Sequence, residues 1–140
     1  MEILRKEFHQ RKNISGTLSF VEGEMDFPFP IRRVYYLYDI EPDVRRGFHA
    51  HKALEQYLIC VHGSCRVLLD DGREKKEVLL DNPNEGLYVG PSTWREMYDF
   101  SEGAVLLVLA SEHYDESDYI RDYGSFLDYI QKRDEKSNEC

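Results

Sequence analysis

The sequence predicts an all-β protein, an antiparallel sandwich or barrel. Two observations carry this. Short apolar or alternating runs recur at residues 17–21, 33–40, 54–61, 65–69, 77–80, 86–89, 94–100 and 104–110. Turn-forming pairs separate them, at His62 and Gly63, Asp71 and Gly72, Asn82 and Pro83, Gly90 and Pro91, and Glu102 and Gly103. Runs of strand length between such turns, with no helical periodicity intervening, build antiparallel sheets rather than βαβ units. Asp71 followed by Gly72 is the strongest hairpin signal, because a tight two-residue turn needs residues that tolerate positive φ.

Only the C-terminus reads as helix. Phe126, Leu127, Tyr129 and Ile130 fall at helical spacing after Ser125, which is expected to act as the N-cap, and the charged tail 132–140 is expected to fray. The helix is expected to lie on the surface. The acidic stretch 112–118 reads as a solvated connection. The 140 residues suit one domain spanning 1–140, and no repeat or linker interrupts them.

Composition narrows the function. A net charge of −9 disfavours nucleic acid as a partner, since that binding rests on clustered Lys and Arg. No apolar run has the length of a membrane span, and the charged N-terminus lacks the pattern of a secretion signal, so a cytoplasmic protein is expected. Cys60, Cys65 and Cys140 are odd in number and show no CxxC spacing, so they are expected to be reduced, with Cys60 and Cys65 acting as small hydrophobes. Ten tyrosines and seven phenylalanines suit strands, sugar pockets and dimer seams alike, and so do not discriminate.

The chemistry-bearing string is RGFHAHK at 46–52. Side chains alternate along a strand, so His49 and His51 share a face and their rings can converge on one ligand, metal or substrate. The string resembles the first motif of the cupin barrels, in which a glycine precedes HxH, an acidic ligand follows, and a further glycine closes a hairpin. With Gly63 as that closing glycine, the acidic position falls on Gln56, with Glu55 one residue away. After the turn at Gly90 and Pro91, where a second motif would place a histidine, Trp94, Arg95 and Glu96 follow instead. Arginine has no lone pair to give a metal and a neutral glutamine is a poor substitute for carboxylate, so the metal site reads as dismantled. A site restored by Glu55 and Glu96 is the remaining metal-binding alternative. Free imidazoles with an ordinary pKa of about 6.5 are suited to moving protons near neutrality.

Further runs sharpen the resemblance: IRRVYY at 31–36, GLYVGP at 86–91, WREM at 94–97, LAS at 109–111 and YDESDYIR at 114–121. Together with the HxH string they are similar to the sugar 3,4-ketoisomerases that act on dTDP-4-keto-6-deoxyglucose. The resemblance implies a jelly-roll cupin barrel without metal or cofactor. It implies a homodimer with exchanged strands, and a ketone moved from C4 to C3 before a PLP-dependent aminotransferase makes a 3-amino-3,6-dideoxyhexose. It also implies proton transfer by His49 and His51 and a hydroxyl from Tyr35 beside the sugar. Arg95 falls at a position that varies between arginine and histidine, the arginine form resembling the gluco-forming members. The segment Asn13, Ile14, Ser15, Gly16 departs from the pattern, offering no large polar or aromatic side chain to the sugar.

Either histidine can serve as base, with His51 favoured. Tyr35 or Arg95 can hydrogen-bond the developing oxyanion. Arg33 shares a strand face with Tyr35, and Arg33, Arg46, Lys52 and Arg95 are the candidate substrate-binding cations, a diphosphate clamp in an otherwise acidic protein. The alternatives are a metal-dependent cupin enzyme, a nucleotide-sugar 3,5-epimerase, and a non-catalytic sugar-binding cupin.

Overall fold

The computed structural model describes residues 1–138, which fold into strands β1 (Arg5–Glu7), β2 (His9–Asn13), β3 (Gly16–Phe20), β4 (Arg33–Leu37), β5 (Arg46–His51), β6 (Gln56–His62), β7 (Cys65–Asp70), β8 (Lys75–Leu80), β9 (Glu85–Val89), β10 (Trp94–Tyr98), β11 (Val105–Ala110) and β12 (Tyr119–Ile120), with helix α1 (Tyr123–Ser137) at the end. One sheet runs β1-β9-β6-β11-β4 and the second β12-β5-β10-β7-β8, while β2 and β3 pair only with each other. Every pairing is antiparallel. This is the two-sheet barrel implied by the cupin resemblance.

Alternation along the strands divides the molecule into three apolar clusters. Leu58 and Cys60 of β6, Val67 and Leu69 of β7, Leu87 and Val89 of β9, and Leu106 and Val108 of β11 meet between the sheets. Tyr57, Ile59 and Leu109 point outward instead, under Phe8, Phe27 and Phe29. On the outer face of the second sheet, Ala50 and Trp94 lie beneath Phe126 and Ile130 of α1. Cys60 and Cys65 are free and buried, as their apolar surroundings suggest; Cys140 lies outside the described residues.

Strands β1, β2 and β12 are absent from the sequence expectation. β1 and β2 are short and largely exposed, so no buried face imposes an apolar alternation on them, and β12, although Ile120 is buried, is only two residues long. Strands β4 and β10 stop earlier than expected because Asp39 and Asp99, just beyond their ends, take positive φ of 52° and 53°. The Asp71–Gly72 turn forms as expected, with Gly72 at φ 92° and its amide donating to Asp70 Oδ1 at 2.8 Å.

Three expectations are corrected. The helix begins one turn earlier than a Ser125 cap would allow: Asp122 is the N-cap, its carboxylate accepting from the Ser125 amide at 2.9 Å. The helix then continues to Ser137 rather than fraying from 132, with Arg73 donating to Asp134 at 2.6 Å along its second half; the last two residues lie outside the described range. The acidic stretch is not wholly solvated either. It closes into a 3₁₀ turn (Glu116–Asp118) capped by Asp115, and Asp118 turns inward.

Phe126 is completely buried against Trp94 and Tyr123, with ring centroids 5.8 Å and 5.9 Å away. Phe126→Ala is expected to cost about 3–5 kcal/mol of stability by urea denaturation, as large-to-small core changes do. A loss below about 1 kcal/mol would show that α1 is only loosely applied to the sheet.

Candidate active site

The inward-facing positions are apolar at one end of the barrel and polar at the other. Arg33 and Tyr35 on β4, His49 and His51 on β5, Gln56 at the start of β6 and Arg95 on β10 make up the polar end. Strand alternation, with Ala50 outward beneath α1, places both imidazoles inside. Their ring centroids are 5.0 Å apart and nearly perpendicular. A bulge in the β5–β10 pairing aims them: His49 lies opposite Arg95 and Gly47 opposite Glu96, leaving Phe48 as the extra residue. Gly47 has φ 95°, and a Cβ there would sit 2.8 Å from the Arg95 carbonyl oxygen, so only glycine fits.

Arg95 is buried behind the site. Its Nη1 donates to Gln56 Oε1 at 2.5 Å, and its Nε and Nη2 donate to the Thr93 carbonyl at 3.3 Å and 3.0 Å. Gln56 in turn donates from Nε2 to the Tyr35 hydroxyl oxygen at 2.9 Å, which leaves the Tyr35 proton free to point into the barrel. Burial raises the Tyr35 pKa, so the phenol is a donor at neutral pH. Gln56 is thus engaged by a guanidinium at the position where a metal-binding cupin carries a carboxylate. Glu55 accepts from the Tyr88 hydroxyl at 2.6 Å and Glu96 pairs with Arg45 at 2.6 Å, so neither joins the histidines. Among the described residues no group of three or more His, Cys, Asp or Glu is placed to hold a metal ion.

His51 is almost fully buried. Its Nδ1 lies 3.0 Å from Asp118 Oδ2, while its Nε2 is buried without a partner. His49 Nδ1 lies 3.0 Å from the Gly47 carbonyl, which can only accept, so that nitrogen carries the proton. Burial first, and then the charge of Arg95, push the His51 pKa far down and the His49 pKa down to about 4. Both rings are therefore neutral bases at pH 7. Tyr119 of β12 lies across them, its ring centroid 5.1 Å from His49 and 4.3 Å from His51, and the Arg121 guanidinium lies over the Tyr119 ring at 4.2 Å.

Two cavities reach this group. One of about 610 Å³ is lined by His51, Arg33, Tyr114, Asp118 and Tyr119. The other, of about 340 Å³, is lined by His49, Tyr35, Arg33, Arg46 and Tyr119. Arg33 belongs to both, its guanidinium 5.2 Å and 5.8 Å from the Tyr35 and Tyr114 ring centroids and its Nε and Nη2 buried without partners. An unsatisfied buried guanidinium is a ready anion site.

Not every predicted residue joins them. Lys52 faces a separate groove of about 580 Å³ beside α1. Arg95 lines neither cavity, because its donors are directed at Gln56 and Thr93. Through Gln56 it reaches the Tyr35 hydroxyl. Sequence reasoning missed Asp118 and Tyr119 as site residues, although both lie in the YDESDYIR run, because an acidic stretch reads as solvated until its partner is known.

A family described as "FdtA: WxcM-like, C-terminal" matches residues 1–131. The chain belongs to the FdtA family. Its relatives agree with that assignment. The FdtA-family chain is 56% identical over 117 residues to the TDP-4-oxo-6-deoxy-α-D-glucose-3,4-oxoisomerase of Aneurinibacillus thermoaerophilus, covering 84% of each. It superposes on QdtA, a sugar 3,4-ketoisomerase of Thermoanaerobacterium thermosaccharolyticum solved with TDP, with a TM-score of 0.91 and 48% identity over 94% of this chain and 96% of QdtA. A histidine-to-asparagine variant of QdtA holding TDP-4-keto-6-deoxyglucose matches with a TM-score of 0.91, 47% identity and coverage of 94% and 95%.

The depressed histidine pKa values bear on stability. The folded rings bind protons less readily than the unfolded rings, so their contribution is fully present above about pH 6.5 and is lost as pH falls toward about 4. The melting temperature should drop across that window, and His49→Gln should flatten the drop. An unchanged slope in the variant would place the acid sensitivity elsewhere.

Proposed function

We propose that the protein moves the ketone of dTDP-4-keto-6-deoxyglucose from C4 to C3. The observation that carries this is the pair of neutral, inward imidazoles beside a Tyr35 hydroxyl whose proton is free, in a chain whose relatives are sugar 3,4-ketoisomerases. The C3 hydrogen is acidic because it is α to the carbonyl. His51 Nε2 takes it, and the electron pair forms the C3–C4 double bond while charge moves onto the C4 oxygen. Tyr35 donates to that oxygen, an interaction typically worth about 3–4 kcal/mol per preorganised donor. The C4 oxygen takes up a proton to give the enediol, His49 is in reach to accept the C3 hydroxyl proton as the C3 carbonyl forms, and C4 is reprotonated; two protons leave, from C3 and its hydroxyl, and two return, to C4 and its oxygen. Atoms balance without a redox partner. No metal or cofactor enters the scheme, and the donor set supports its absence: a guanidinium stands where a ligand would be needed.

Substrate binding falls to Arg33 and Arg46, which line the cavities beside Tyr35 and His49. Arg95 acts through Gln56 by polarising the Tyr35 hydroxyl. It keeps its proton, its pKa lowered by burial only to about 10, so it cannot relay one at neutral pH. A single base that carries the C3 proton to C4 on the same face gives the galacto product. The gluco product needs a donor on the far side, such as water; arginine at position 95 resembles the gluco-forming members, which favours dTDP-3-keto-6-deoxyglucose.

The acting unit in this proposal is a homodimer. Strand β4 is the free edge of its sheet, with Val34, Tyr36 and Tyr38 exposed on and beyond it, and the β2–β3 hairpin stands apart with Ile14 and Leu18 exposed. Exposed edges and unpaired hairpins of this kind are covered by a second copy through strand exchange. The product, a 3-keto sugar, is the substrate a PLP-dependent aminotransferase needs, and the chemistry suits the cytoplasm, where nucleotide sugars are made. Among the described residues no helix is long and apolar enough to cross a membrane.

His51→Asn and His49→Asn should each lower turnover at least about 100-fold while leaving TDP binding intact by calorimetry. Loss of TDP binding together with folding would point to a structural role for the pair. For the product, trapping with an aminotransferase should show a large trans-diaxial proton coupling between C3 and C4. A small coupling would mean that Arg95 does not set the face.

A further inference from the structure

The 3₁₀ turn that crosses the site contributes one carboxylate to it, and nothing in the mechanism so far uses that group. Asp118 accepts from the Ala53 amide at 2.8 Å and the Leu54 amide at 3.3 Å, and its Oδ2 lies 3.0 Å from His51 Nδ1. A carboxylate can only accept at neutral pH, so His51 Nδ1 carries the ring proton and Nε2 carries the lone pair. The other end of the ring agrees. Nε2 is buried with no partner, and a bare lone pair there costs less than an orphaned N–H would. The two backbone amides fix the carboxylate from the β5–β6 connection, and β12 pairs Tyr119 with His51, so the turn and the ring are held in one register.

We propose that Asp118 is a positioning residue for the proton transfer, holding His51 in the Nδ1–H tautomer with Nε2 aimed at the substrate carbon, and offsetting the imidazolium that forms when Nε2 takes the proton. Around His51 stand His49 on its own strand, Arg33 from β4, Arg95 from β10, Tyr119 and Arg121 from β12 and just beyond, and Asp118. Three cations face the ring against one carboxylate in direct contact. Without Asp118 the protonated ring would be opposed by all of them and supported by none. The proposal rests on the isomerase reading and names the partner that makes one of its two histidines the base.

The test pairs a spectroscopic readout with kinetics. In ¹⁵N-labelled wild-type protein, long-range ¹H–¹⁵N spectra should show His51 with a protonated Nδ1 and a bare Nε2. In Asp118→Asn, whose amide can donate to Nδ1, the ring should shift toward the Nε2–H form. Turnover of Asp118→Asn should fall at least about 100-fold with KM within about threefold, as when the orienting carboxylate of a His–Asp pair is replaced. Its acid limb should move to lower pH, because removing the carboxylate leaves the imidazolium less favoured. A wild-type His51 that carries its proton on Nε2 overturns the proposal whether or not any variant folds. A variant that melts earlier and binds substrate less well, yet keeps the tautomer, the acid limb and kcat, overturns it too, since that is the signature of a strut for the 3₁₀ turn. If the wild type turns over no keto-sugar, the function fails while the tautomer still decides the role of Asp118.

Discussion

A buried arginine organises this molecule. Arg95 sits inside the barrel with its charge and its donors removed from water, and a buried guanidinium is tolerable only when its hydrogen bonds are met. Thr93 meets two of them through its carbonyl and Gln56 meets a third. The consequences run outward from there. Gln56, having turned its carbonyl oxygen to Arg95, must present its amide to Tyr35, and Tyr35, accepting from Gln56, must present its proton to the barrel. The same charge is the largest cause, after burial itself, that keeps His49 and His51 unprotonated. One cation therefore sets both the donor and the bases of the proposed reaction without lining a cavity itself.

This arrangement also explains why the barrel need not be a metal protein. Cupin barrels converge side chains from several strands on one interior point, which suits a metal ion, but the same convergence serves a metal-free acid–base site if the ligand positions change. Gln56 and Arg95 make that change here as a hydrogen-bonded pair. A single substitution would be worse than either state, since a buried guanidinium facing a metal, or a glutamine facing nothing, leaves a polar group unsatisfied.

The fold was legible in the sequence wherever burial imposed a pattern. Strands β6, β7, β9 and β11 are held in the core, β6 by both faces, so apolar or alternating runs between turn residues marked them. Strands β1 and β2 carry no such constraint and were invisible. At the site, His49, His51, Tyr35 and Arg33 were readable because strand alternation places each pair on one face, and β4 and β5 obey it. Arg95 and Gln56 were singled out as the residues that spoil a metal site, but their mutual hydrogen bond depends on strands 39 residues apart in sequence meeting in space. Asp118 was hidden for the same reason. Three acidic residues at 115, 116 and 118 look equivalent along the chain, and only the folded register shows that one caps the 3₁₀ turn, one pairs with Arg121 and one reaches His51.

The central claim is that the buried imidazoles, with no metal, take the proton from C3 and let C4 be reprotonated from solvent, leaving the rest of the sugar untouched. It is tested most directly by following dTDP-4-keto-6-deoxyglucose with the purified protein in deuterated buffer by NMR, with and without a strong chelator. The account predicts a 3-keto product carrying solvent deuterium at C4, ordinary hydrogen at C5, and the same rate in both samples. Deuterium at C5, or a rate lost with the chelator and restored by a divalent metal, would contradict it.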